Sequence, residues 1–300
     1  MKITYLGSFI LFCLLSMVAC SQGLNNVAPP LILSLKDVHA KTNLTRYLNE
    51  KTWNALFPHR YGIGKKDTLN HNPDFYSYKA FVQAAKLFPE FLAEGNSKVQ
   101  KKELAAFLAN IAQETSGGWT EAPGGYFKWG LYYLEEIPSK GVSEEEYVDS
   151  TWKKYKAIPG RFYFGRGPKQ FSWNYNYGQF SIAWYGDMDT LLRNPDRLSR
   201  DPVLSFASAI WFWMTPQKPK PSCHDIMVGK WVPTDDDILK NRMPGFGTTV
   251  NVINGGVECN MGTASERTAY RYQYYRYFCE YFKVDPGENL DCDHETPFGK

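Results

Sequence analysis

The chain has 300 residues, 43% hydrophobic and 22% charged, with a formal net charge of +3. This composition is that of a globular protein and excludes a disordered or fibrous one, and so slight a charge, with no dense Lys/Arg block, excludes a nucleic-acid surface. There are only 5 His and no HExxH or paired CxxC pattern, so no common zinc site is expected, and neither metal nor cofactor is called for.

The N-terminus reads as an address. Lys2 precedes an apolar run from Phe9 to Ala19, the length of a signal-peptide core and too short for a spanning helix. Residues 1–20 are therefore read as a signal peptide and the protein as exported. Met17-Val18-Ala19-Cys20 resembles a bacterial lipoprotein processing site, at which Cys20 is lipidated and tethers the chain to the cell envelope. Cleavage by ordinary signal peptidase near Ala19, with free release, is the alternative. A lipid at Cys20 is the only membrane attachment expected. Residues 21–45, with Pro29-Pro30, read as a linker or loosely attached arm, and residues 46–297 as one domain without internal repeats, expected to be monomeric.

Four helices are legible within it. Phe75 to Phe88 carries Phe81, Ala84, Ala85 and Phe88 at helical spacing, with Pro89 as a stop. Lys101 to Gln113 places Leu104, Phe107, Leu108 and Ile111 on one stripe. Asp201 is a natural N-cap, followed by Pro202 at the first helical position and a run to Met214. Thr263 and Glu266 form a capping-box pattern ahead of a stripe of Tyr270, Tyr274, Tyr277, Phe278 and Tyr281. Arg161 to Phe164 is the one short strand expected. The fold class is α+β, mainly α-helical, with long structured loops. Beyond the signal, Cys223, Cys259, Cys279 and Cys292 suffice for one or two disulfides in an oxidising compartment, and their spacing does not choose among the three pairings.

Three charged features stand out. Glu114 continues the apolar stripe at the C-terminal end of its helix. Burial and the negative end of the helix dipole both disfavour its ionised form, which suits a general acid; the bland alternative is an ordinary glutamate at a frayed helix end. Glu135 and Glu136 follow in a loop after an aromatic-rich turn, where one could stay ionised as a base, or both could be a solvated pair. Arg271 lies on the buried stripe with Tyr274 and Phe278 and requires a carboxylate partner, for which Glu258 is a candidate.

These features join six segments that occur in order. Ala106–Trp119 (AFLANIAQETSGGW) and Tyr163–Gly178 (YFGRGPKQFSWNYNYG) resemble segments of the family 19 glycoside hydrolases, the plant-type chitinases. So do Trp211–Gln217, Pro219–Asp225, Asn251–Cys259 and Asn289–Cys292. The resemblance spans about Leu56 to Cys292. It implies a lysozyme-like fold with a long substrate cleft, and inverting endo-hydrolysis of β-1,4-linked N-acetylglucosamine in chitin or chitooligosaccharides. It also implies two catalytic carboxyls about 6.5–9.5 Å apart.

Carried over by position, Glu114 matches the general acid and Glu136 the general base, with Ser172 as the hydroxyl that helps hold the attacking water. Gln170, Tyr175, Asn176 and Asn254 match sugar-binding residues. Glu258 and Arg271 match a charged network around the acid, where the arginine would oppose the effect of burial on Glu114. Cys259 and Cys292 match a family disulfide, leaving Cys223 and Cys279 unpaired. The chain departs from the pattern at Gln113, where most plant relatives have His. It departs again at Tyr132, which stands in place of a cysteine, and over residues 138–160, a Glu-rich replacement of a family loop. Two other functions fit the same residues: cleavage of peptidoglycan, and a catalytically weak carbohydrate-binding surface protein.

Overall fold

The computed structural model describes residues 30–33, 41–61, 75–136, 143–262 and 266–299. The signal peptide, Cys20, most of the arm and the expected cap at Thr263 lie outside them. In chain order the helices are α1 (Leu44–Tyr47), α2 (Glu50–Leu56), α3 (Tyr78–Lys86), α4 (Ser97–Glu114), α5 (Asn174–Tyr185), α6 (Asp189–Arg193), α7 (Pro202–Met214), α8 (Cys223–Val228), α9 (Asp235–Leu239), α10 (Phe246–Glu258) and α11 (Glu266–Phe282). Extended pairing among the described residues is limited to isolated bridges, Glu135 with Arg166, Arg166 with Phe171, and Gln217 with Lys220.

Local signals set the helix starts. Asp201 accepts from the amides of Val203 and Leu204, Asn96 from those of Lys98 and Val99, and Ser77 from that of Ala80, each satisfying amides that have no partner inside the helix. The α3 helix is shorter than its apolar spacing suggests: Phe75 and Phe88 are buried but lie outside it.

Helix α4 is the centre of the molecule and packs against α11 and α8. Its apolar stripe understates it, because every residue from Glu103 through Gln113 is buried. Alanines at 105, 106, 109 and 112 let neighbouring elements approach closely on the remaining faces. Phe107 continues an aromatic cluster with Phe81, Phe91 and Trp213. On α11 the buried face is Arg271, Tyr274, Tyr275 and Phe278, whereas Tyr281 is exposed.

Arg161 to Phe164 is not a strand. The carbonyls of Phe162 and Phe164 accept from the Arg166 guanidinium, so a side chain takes the place of a ladder partner. The chain after α11 returns along α10, where the Gly247 amide donates to the Asn289 carbonyl at 2.8 Å. A Cβ on Gly247 would lie 1.9 Å from the Asp291 carbonyl oxygen, so only glycine permits this approach. A Cys259–Cys292 disulfide closes the same junction, and Cys223 and Cys279 are buried free thiols.

Candidate active site

The last turn of α4 delivers Glu114. The Thr115 hydroxyl donates to the Ile111 carbonyl at 2.6 Å and accepts from the Leu131 amide at 2.8 Å. The Thr115 carbonyl accepts from the amides of Tyr132 and Tyr133. These bonds clip the following loop against the helix end and bring Leu134–Glu136 alongside 165–167. There the Glu136 amide donates to the Gly165 carbonyl and the Gly167 amide to that of Leu134. In this extended stretch the two glutamates take different partners, although both line the cleft described below. Glu135 pairs with the Arg166 guanidinium at 3.5 Å. Glu136 receives the Tyr147 hydroxyl at 2.9 Å and the Gly165 amide at 3.4 Å, both neutral donors.

Arg271 is fully buried and holds three acceptors. It donates to Glu258 through Nε at 3.0 Å and Nη2 at 2.6 Å, to Glu114 Oε1 at 2.7 Å, and to Asn110 Oδ1 at 3.1 Å. Burial alone would lower its pKa; the two carboxylates outweigh that and raise it, so the cation is permanent. Asn254 Nδ2 bridges the two glutamates, 3.2 Å from Glu114 Oε1 and 2.9 Å from Glu258 Oε1. Asn254 can reach both because its backbone is non-helical (φ −135°, ψ 25°), a kink inside α10. Glu258 thus takes the forked pairing and Glu114 a single-oxygen contact. Among the described residues the second oxygen of Glu114, Oε2, has no hydrogen-bond partner.

Glu114, Glu135 and Glu136 line one cleft of about 760 Å³, together with Gln113, Gln170, Ser172, Trp173 and Asn254. The Ser172 hydroxyl donates to the Gln170 carbonyl at 2.8 Å rather than to Glu136, leaving its lone pairs to accept from a ligand. A smaller recess of about 130 Å³ shares Gln170, Ser172, Trp173 and Asn254 with the cleft and adds Tyr175 and Asn176. Both ends of the Asn176 amide are engaged, donating to Ser172 O and accepting from Gln217 Nε2. The Tyr175 ring stacks on half-exposed Trp152 at 4.9 Å and on Trp173 at 6.3 Å, a shelf suited to the flat faces of sugar rings. Among the described residues no cluster of His, Cys, Asp and Glu could hold a metal ion, and no helix is long and apolar enough to cross a membrane.

Sequence reasoning thus named residues that the fold brings to one cleft, and missed others. Asn110 sits one turn before Glu114 on α4, a signal available from the sequence. Tyr147 falls in the Glu-rich segment and carries no local signal. Gln113, noted only as a departure, accepts from the Tyr126 hydroxyl at 3.1 Å and lines the cleft beside Glu114.

The profile of the family described as chitinase class I, glycoside hydrolase family 19, matches residues 54–292. Endochitinase B of Nicotiana tabacum is 45% identical over 257 residues, covering 86% of this chain and 75% of the tobacco protein. A Hevea brasiliensis relative named inactive chitinase-like protein 1 is 44% identical over 257 residues, covering 86% of this chain and 77% of its own. The crystal structure of chitinase C from Streptomyces griseus HUT6037 superposes with a TM-score of 0.61 at 30% identity, over 82% of this chain and 97% of that one.

Proposed function

The chain belongs to the class I chitinases of glycoside hydrolase family 19, with their lysozyme-like, mainly helical fold, and from that premise we propose that it is an inverting endochitinase acting on β-1,4-linked N-acetylglucosamine. The observation that carries this reading is the unequal environment of two carboxyls lining one cleft. Glu114 is tied to Arg271 and Asn254 through one oxygen, whereas among the described residues Glu136 accepts from neutral donors, the Tyr147 hydroxyl and the Gly165 amide.

In this reading Glu114 Oε2 carries the proton and gives it to the glycosidic oxygen as the bond to the anomeric carbon breaks. Glu136 takes a proton from a water that attacks that carbon from the opposite face, so the new hydroxyl is α. Exchange with solvent then returns both glutamates to their starting states. Arg271 and Asn254 hold the acid in place, and the Arg271 charge stabilises the carboxylate that proton donation leaves behind. Ser172 accepts from the attacking water, and Gln170, Tyr175 and Asn176 sit where further sugars of the chain would lie. Glu136 rather than Glu135 is assigned as the base because Glu135 is drawn to the Arg166 guanidinium at 3.5 Å, whereas Glu136 accepts from the Tyr147 hydroxyl and the Gly165 amide. The test is incubation with N-acetylglucosamine hexamer and anomer-resolved product analysis. Initial α products support the assignment, and initial β products refute inversion.

Similarity to a relative named inactive favours a second reading, carbohydrate binding without turnover. Binding of the hexamer with no products would select it. Residues 46–297 are proposed as the catalytic domain, acting as a monomer. Residues 1–20 are proposed to direct export, with Cys20 as a lipid anchor or Ala19 as the cleavage point. The mass of the mature N-terminal peptide decides between them.

A further inference from the structure

Lys169 lies within the Gly165–Phe171 turn, and the chemistry above leaves it without a role. It is 7% exposed. Among the described residues its ammonium has neither a carboxylate partner nor a hydrogen-bond acceptor; its close contact is the face of Phe212, 4.7 Å away. A mostly buried side chain whose ammonium has no protein acceptor depends on water or a ligand in the adjoining space to supply one. Lys169 lines the 130 Å³ recess that opens from the cleft, and so does Lys220, whose Nζ spends one of its three donors on the Val252 carbonyl at 2.9 Å. No Asp or Glu lines that recess, and Phe171, Phe212 and Ile253 supply apolar wall. Burial lowers the pKa of both lysines, against the pull of the Glu114 carboxylate on Lys169, and Lys169 lowers that of Lys220 further.

Among the substituents of an amino sugar, one matches a site that offers cationic donors beside apolar wall. An acetamido group presents a carbonyl oxygen, which only accepts, next to a methyl. A free amine at the same position is protonated in mild acid, and would bring a third cation against two ammonium groups.

We propose that Lys169 makes this recess a reader of N-acylation, admitting a sugar that carries an acetamido group and rejecting one that carries a free ammonium. The proposal rests on the chitinase reading and assigns the specificity of one sugar position within it. Lys169 is here a specificity residue; it takes no part in bond cleavage.

The experiment measures binding of N-acetylglucosamine hexamer and of fully deacetylated glucosamine hexamer at pH 5.5, by calorimetry, in a Glu114→Gln background that suppresses turnover. The same pair is measured after Lys169→Met and after Lys169→Arg, with thermal melts to show that each variant folds. If a variant does not fold, the two hexamers are compared as competitive ligands of the active chain. The deacetylated hexamer should bind at least about tenfold more weakly than the acetylated one, as expected for like charges brought together. Lys169→Met should shrink that gap by about tenfold, mainly by improving binding of the deacetylated hexamer, and Lys169→Arg should preserve it. A gap unchanged by Lys169→Met overturns the proposal, as does a gap that Lys169→Arg abolishes equally. Discrimination that depends on Lys169, in a chain that does not hydrolyse the acetylated hexamer, refutes the chitinase reading alone. Hydrolysis without such discrimination refutes the recess alone.

Discussion

Arg271 and Glu114 meet at 2.7 Å through a guanidinium that solvent does not reach. Because Glu258 accepts from Nε and shares Nη2 with Glu114, while Asn110 takes Nη1, one side chain holds Glu114, balances the charge of its neighbour and joins α4, α10 and α11. Removing the cation leaves two glutamates, whose side chains are 6% and 7% exposed, without compensation. Arg271→Met should therefore lower stability by about 3–5 kcal/mol. Arg271→Lys should lose less, because it keeps the charge and gives up the forked geometry. Chemical denaturation of the two variants checks the order.

The two catalytic assignments predict different failures. Glu114→Gln should abolish turnover of the N-acetylglucosamine hexamer while the hexamer still binds. Glu136→Gln should lower kcat by roughly 10²–10⁴-fold, the usual worth of a general base. Glu135→Gln should cost less than about tenfold, since Glu135 is already paired with Arg166. If Glu135→Gln is the more damaging of the two, the assignment of the base is off by one residue.

Tyr147 should act through Glu136. Its hydroxyl donates to Glu136 Oε1 at 2.9 Å, which fixes the orientation of that carboxyl. Tyr147→Phe should lower kcat by roughly three- to tenfold, the worth of one hydrogen bond to a charged group. Steady-state kinetics on the hexamer measures it, and an unchanged kcat would show that the contact has no bearing on Glu136.

Glu295 sets a pH dependence of stability. It is buried and accepts from Thr248 at 2.7 Å and Asn251 at 3.0 Å. Burial outweighs these donors and pushes its pKa up from the usual 4.5 to about 7. The folded chain therefore binds this proton more tightly than the unfolded chain does. The resulting contribution is fully present below about pH 4.5 and lost as pH rises through about 7, a change of about 3 kcal/mol. Glu295→Gln should remove that component. The difference in unfolding free energy between wild type and variant, followed from pH 4 to 8, should slope across this window and flatten above it.

The disulfide is the remaining test. Cys259 and Cys292 are 33 residues apart in sequence, and replacing both by Ser should cost about 2–4 kcal/mol by releasing the unfolded chain. Urea melts of the oxidised protein and the double variant measure it.

What the sequence made legible was local. Asp201 and Pro202 announce α7 because a capping oxygen and a fixed φ act within one turn. Arg271 was conspicuous because a charge on an apolar stripe violates the pattern. Helix α10 was not legible. Its run of Gly, Thr, Val and Asn has weak helix propensity, and packing against α8, α11 and the returning tail holds it. The Asn254 kink, the Tyr147 contact and the diversion of the Phe162 and Phe164 carbonyls to Arg166 all join groups whose meeting no periodicity encodes. The choice of Glu136 over Glu135 rests on the spacing that the family resemblance implies, and the Arg166 contact to Glu135 is a difference between the two that no periodicity encodes.

The Asn110–Arg271–Glu258 cluster has a practical consequence for anyone heating this protein. The groups that hold Glu114 are among the deepest polar contacts of the described residues, so this side of the cleft should come apart only with the core. Loss of hydrolysis and loss of near-ultraviolet circular dichroism should then trace a single sigmoid on a temperature axis. Attempts to harden the protein by replacing those interior charges with hydrocarbon would silence it in the same stroke.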